Sequence, residues 1–179
     1  FLYMGLDDGS LLPYSFAKQT FEKINTFTSG IQTLTFVGNG NLIVGLNNGG
    51  VYSDDGTRSK FVKITTPSSR FFSSQSGLRL TKDNQNQGSL FMASTGGLYK
   101  SDDSGSFWNT INTILSTKAS IAALSVQNGL IYLTSEAKFY KSVDGGKSWK
   151  VFEPMPTTSK YGTLYVDNSG KIVIVGTKK

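Results

Sequence analysis

Two octapeptides constrain this chain more than any other feature. Ser101-Asp-Asp-Ser-Gly-Ser-Phe-Trp108 and Ser142-Val-Asp-Gly-Gly-Lys-Ser-Trp149 both read S-x-D-x-G-x-x-W, and Ser142 follows Ser101 by 41 residues. A period of that size marks an array of supersecondary units, each too small to bury its own apolar face. Stepping back from the closing aromatic, Trp149, Trp108, Phe61 and Phe21 fall at separations of 41, 47 and 40. Each is followed three residues later by a large apolar residue, Phe152, Ile111, Ile64 and Ile24. A short strand beginning at the aromatic is therefore expected four times.

The remaining columns complete the unit. Gly9, Gly49, Gly96 and Ala137 repeat at the same separations and mark a turn. Before it stand the apolar runs Leu2–Leu6, Leu42–Leu46, Leu90–Ala93 and Leu130–Thr134, the pattern of strands buried on both faces. After it come Val51-Tyr52, Leu98-Tyr99 and Phe139-Tyr140, leading into the octapeptides. A further strand precedes them at Ile31–Val37, Gly77–Leu80, Ile121–Val126 and Tyr161–Val166, closed by hairpin turns such as Asn39-Gly40 and Asn128-Gly129. With the strands lettered A to D, the unit is a four-stranded antiparallel meander, the blade of a β-propeller. The expected fold is all-β, three whole blades with partial first and last ones: residues 1–27 (B-C-D), 31–65, 77–115, 120–153 and 161–179 (A-B). An arc of blades would leave strand edges open, so pairing with further sequence or with a second copy is expected.

Composition agrees with this and narrows the chemistry. Twenty Gly, 12 Phe and 8 Tyr against 4 Pro favour short aromatic-rich strands closed by tight turns. The chain has no Cys and no His, which removes thiolate and imidazole as nucleophile, base or metal ligand. The absence of Cys suits a periplasmic or secreted bacterial protein, and an extracellular or periplasmic location is expected. No transmembrane run is present. The net charge of +6 is spread along the chain without a block of like charges, and among the 18 cationic residues only Arg58, Arg70 and Arg79 are arginines. That is a solvated surface field, not a specific nucleic-acid site.

Within the octapeptide, a Ser and an Asp two residues apart can bond the backbone N–H groups of their own turn, while Gly105 or Gly146 accepts a positive φ and the Trp packs beneath. A lone D-x-G offers too few oxygens for Ca²⁺, so neither metal nor cofactor is expected. Between the third and fourth strands of a blade, S-x-D-x-G-x-x-W resembles the Asp-box, or BNR repeat, of sialidases, sortilin-type receptor domains, photosystem-assembly factors and many bacterial surface proteins. Two copies match fully. Ser53-Asp-Asp-Gly56 is a degenerate third with altered spacing to Phe61, and Tyr14–Phe21 has lost the motif. The resemblance implies that Ser101, Asp103, Gly105, Trp108, Ser142, Asp144, Gly146 and Trp149 are structural and lie away from the ligand face.

That face is implied to consist of the B–C turns and D–A connections. The candidate binding residues are therefore Asp7, Asp8, Asn47, Asn48 and Glu136, with Arg70, Phe71 and Phe72 in the longest connection, Thr66–Ser76. A sialidase would need three substrate-binding arginines, one of them in an F/Y-R-I-P motif. No such motif is present; Arg58 falls in a C–D turn and Arg79 in strand A. Two functions follow: a non-catalytic scaffold for a protein or carbohydrate ligand, or part of a propeller glycoside hydrolase whose catalytic residues lie largely outside this sequence. In the second case carboxylates would be drawn from Asp7, Asp8 and Glu136.

Overall fold

The computed structural model describes residues 2–38, 40–64, 78–83, 85–86, 88–94, 97–111, 115, 121–135, 138–152, 161–167 and 173–177. Arg70, Phe71, Phe72 and Glu136 lie outside them. All regular structure among the described residues is strand.

The first sheet runs β1 (Leu2–Gly5), β2 (Ser10–Ser15) and β3 (Thr20–Phe21), with β4 (Asn25–Thr26) also along β2. Here the expected single D strand is broken. Glu22 N–H and Ile24 N–H donate to Pro13 and Leu11 carbonyls at 3.1 and 3.0 Å, but Pro13 has no N–H to return. Three four-stranded antiparallel meanders follow in chain order: β5 (Ile31–Phe36), β6 (Leu42–Leu46), β7 (Val51–Asp54) and β8 (Phe61–Lys63); β9 (Arg79–Lys82), β10 (Leu90–Ser94), β11 (Gly97–Ser101) and β12 (Asn109–Ile111); β13 (Ile121–Gln127), β14 (Leu130–Ser135), β15 (Lys138–Ser142) and β16 (Lys150–Phe152). β17 (Tyr161–Val166) pairs with β18 (Val173–Thr177).

The sheets stack face to face because alternate residues of each second strand pack in opposite directions. Leu42, Val44 and Leu46, all fully buried, pack back with Leu11 and Phe27 of the first sheet, while Ile43 packs forward with Leu78 and Leu80 of the third. Leu90 and Met92 repeat the backward contact, and Phe91 the forward one. Each fully buried Leu or Met contributes about 1.5–3 kcal/mol. In the first sheet the same backward column holds Leu2 and Met4, which are 54% and 40% exposed.

The A strands touch in sequence, β5 with β9, β9 with β13 and β13 with β17, and β1, a B strand, touches β5. They stand side by side about a common axis, the arrangement of propeller blades. A meander places its A–B and C–D turns at one end and its B–C turns and D–A connections at the other. The contacts follow that division. At one end Ser104 N–H donates to Gly88 O at 3.1 Å, and at the other Asn47 N–H donates to Gly30 O at 2.8 Å. Asp83, buried in the A–B connection of the third sheet, also accepts from Asn128 N–H and Gly129 N–H at 3.0 and 2.8 Å. That carboxylate fastens the A–B hairpin of the next sheet, where Asn128 and Gly129 have φ of 55° and 74°.

Candidate functional site

The two octapeptides fold as one object seen twice. Ser101 and Ser142, fully buried at the ends of β11 and β15, each accept from a glycine N–H at 2.8 Å, that of Gly105 and of Gly146. Their hydroxyls donate to Asp103 and Asp144 at 2.7 and 2.8 Å. The aspartates close the turn from the far side by accepting from Phe107 N–H and Ser148 N–H, both at 2.9 Å. The indoles of Trp108 and Trp149 donate to Gly105 O and Gly146 O at 2.9 and 3.1 Å. These bonds hold the Asp103 carboxyl below its usual range, the Phe107 N–H having the largest effect and the Ser101 hydroxyl the next. Asp144 is lowered to about 2, chiefly by the Ser148 hydroxyl and N–H.

Each turn also reaches into the preceding blade. A Cβ on Gly146 would fall 2.3 Å from Ile111 Cγ2, and one on Gly105 3.3 Å from Ile64 Cδ1. The apolar residue three places after each aromatic therefore receives the next blade's turn. Phe61 and Ile24 share a core cluster in the same way, as do Trp108 with Ile64 and Trp149 with Ile111.

Strand register corrects the reading of the degenerate copy. Tyr52 pairs with Val44 as Tyr99 does with Met92, so Asp54, not Ser53, occupies the column of Ser101. Counted from Asp54, the spacing to Phe61 is unaltered. Asp54 Oδ1 accepts from Leu42 N–H at 2.9 Å, and its other oxygen is ion-paired with Arg58. Arg58 stands in the column of Gly105, keeps a positive φ of 66°, and lies 5.4 Å from the Phe36 ring centroid. A salt bridge between the buried Asp54 and the half-buried Arg58 replaces the Ser-Gly pin here.

At the opposite end the structure brings two candidate turns together. Gly30 lies between them: a Cβ there would be 2.5 Å from Asn47 Nδ2 and 2.6 Å from Asp7 O. Asp7, Asp8, Asn47 and Asn48 are all exposed. Asp8 accepts from Ser10 N–H at 2.8 Å, a bond that lowers its pKa, and Asn48 accepts from Gly50 N–H at 3.0 Å. Both second residues thus hold their own turns. The side chains of Asp7 and Asn47 make no hydrogen bond among the described residues. Of the other candidates, Glu136, Arg70, Phe71 and Phe72 fall outside the description.

Sequence reasoning set Arg79 aside because it lies within a strand. It opens β9 at this same end of the sheet, half-buried, and donates to Ala122 O at 3.2 Å and Leu78 O at 3.3 Å. Burial lowers its pKa, and it has no carboxylate partner among the described residues. The signal in the sequence was its place as a cation among inner strands that are otherwise nearly uncharged, I-Q-T-L-T-F, I-A-A-L-S-V-Q and Y-G-T-L-Y-V.

No protein-family model matches the chain, and no curated protein matches it. Among solved structures, 98% of the chain superposes on 31% of the GH74 enzyme of Niastella koreensis, with a TM-score of 0.77 at 17% identity. The extracellular domain of the hybrid two-component system BT4673 of B. thetaiotaomicron is matched over 98% of this chain and 24% of its own, with a TM-score of 0.74 at 18% identity. YCF48 of Cyanidioschyzon merolae is matched over 97% and 62%, with a TM-score of 0.70 at 11% identity. The chain spans less than two thirds of each. At these identities the likeness concerns the fold, and that fold is the β-propeller.

Proposed function

We propose that this chain is part of an Asp-box propeller, extracellular or periplasmic, that acts as a non-catalytic scaffold and binds a protein or a glycan through the face formed by its B–C turns and D–A connections. One observation carries the reading. The main chain of Asp7 and the side-chain amide of Asn47, from different blades, both lie against Gly30, and the exposed Asp7 carboxylate and Asn47 amide hold no turn of their own, whereas the carboxylates of the octapeptides are engaged in holding theirs. Polar groups presented on turns above a rigid sheet are where binding residues tend to lie. Arg79 adds positive charge at the inner margin of the same face, and the insertion bearing Arg70, Phe71 and Phe72 would extend it.

The second reading, part of a glycoside hydrolase, is favoured by the likeness to GH74 enzymes. The two are separated by one set of measurements. The scaffold reading expects no turnover of fluorogenic glucosides or sialosides, and binding on a glycan array or to a purified partner that Asp7→Ala with Asn47→Ala abolishes at unchanged thermal stability. Turnover by the wild-type chain would overturn it.

A further inference from the structure

The repeat is interrupted at one interface, and a cavity lies there. Between the second and third blades, at the outer margin of the face that carries the octapeptide turns, a cavity of about 320 Å³ is lined by Asn41, Ser53, Lys63, Ile64, Asp103 and Ser106. The next interface shows why this space exists. Register places Ser53 in the column of Lys100 and Lys141, whose ammonium groups lie 5.9 and 5.2 Å from the ring centroids of Phe91 and Tyr132. The second blade has Ile43 and Ser53 there instead of an aromatic under a lysine. Ser106 likewise stands where the fourth blade has Lys147. These small departures from the repeat open one groove.

We propose that this groove is a binding subsite for a neutral carbohydrate of one or two sugar rings. Its lining sets one ammonium, Lys63, beside one carboxylate, Asp103, with an amide and hydroxyls around them, so a charged ligand would face a like charge whichever sign it carried. Lys63 makes no ion pair among the described residues. Asp103 holds its turn through Oδ1, which leaves the other carboxylate oxygen to accept from a ligand hydroxyl. Sugar hydroxyls both donate and accept, and Ile64 gives the ring one apolar contact. The volume lies at the small end of ligand sites, about 300–1,000 Å³. The site is separate from the turn face and does not depend on the function proposed for it.

The test is saturation-transfer NMR and titration of the chain with cellobiose, maltose, lactose and N,N′-diacetylchitobiose, with 3′-sialyllactose as the anionic comparison. At least one neutral disaccharide should bind, and more tightly than the sialylated one. Ser53→Lys with Ser106→Lys, which copies the closed interface, should weaken binding at least about tenfold. Lys63→Thr, which copies Thr110, should weaken it too. Thermal unfolding of each variant checks that the fold is intact. Failure of all four disaccharides to bind, or binding that survives both groove variants, would overturn the proposal.

Discussion

Gly146 lies against Ile111 of the preceding blade so closely that a Cβ on the glycine would fall 2.3 Å from the Ile111 Cγ2 atom, and it holds a φ of 94°. Two independent penalties meet at this position, backbone strain and overpacking. Gly146→Ala should cost about 2–4 kcal/mol in chemical denaturation. Gly145→Ala, at φ 71° with nothing within 4 Å of the new Cβ, carries the strain alone. It should cost about 1–2 kcal/mol. Ile111→Ala in the Gly146→Ala background should recover part of the loss, and a double-mutant cycle with no coupling would show that the two blades are not joined there.

Asp54 and Arg58 make the second blade depend on an ion pair whose carboxylate is buried. Arg58→Ala leaves the Asp54 carboxylate, with a fully buried side chain, without its partner. The expected loss is about 3–5 kcal/mol. Asp54→Ser with Arg58→Gly installs the residues of the other two turns and should recover most of it. A double variant as unstable as Arg58→Ala would refute the column assignment.

Ser101 offers the complementary test in a regular turn. Its buried hydroxyl accepts from Gly105 N–H at 2.8 Å and donates to Asp103 at 2.7 Å. Ser101→Ala leaves the Gly105 N–H unsatisfied and should cost about 1–3 kcal/mol, measured by urea unfolding.

Asp144 gives the account a pH signature. Its folded pKa, about 2, lies below the ordinary value of 3.8. A depressed carboxylate stabilises the fold fully above its unfolded pKa, and that contribution is lost as pH falls through the folded one. Stability should therefore decline between about pH 4 and pH 2. Asp144→Asn should reduce the slope in that window, as followed by tryptophan fluorescence. An unchanged slope would mean that the carboxylate bonds contribute nothing.

Much of the architecture was legible in the residues because propeller blades repeat both their apolar columns and their turns. Columns such as Leu42, Leu90 and Ile131 report burial against a neighbour, and S-x-D-x-G-x-x-W reports a hairpin that bonds itself. Two things were hidden. Asp54 in the Ser101 column could not be read from letters, since Ser53-Asp-Asp-Gly56 offers a tempting serine one residue early and only strand pairing fixes the offset. The break between β3 and β4 comes from Pro13 on the neighbouring strand, a cross-strand effect that the local sequence around Glu22 does not carry. The candidate site was legible as a set of turns, but the approach of the Asp7 and Asn47 turns to Gly30 depends on how two blades pack.

The central claim is a division of labour between side chains: the octapeptide carboxylates hold their turns, whereas Asp7 and Asn47 carry no part of the fold's stability. Comparing the thermal midpoints of Asp103→Ala and of Asp7→Ala with Asn47→Ala tests it most directly. The account predicts a midpoint lowered by about 2–8 °C in the first, as expected for a loss of about 1–2 kcal/mol in a chain of this size, and one within about 1 °C of wild type in the second. An undisturbed midpoint in Asp103→Ala, or a large fall in the Asp7 and Asn47 variant, would contradict it.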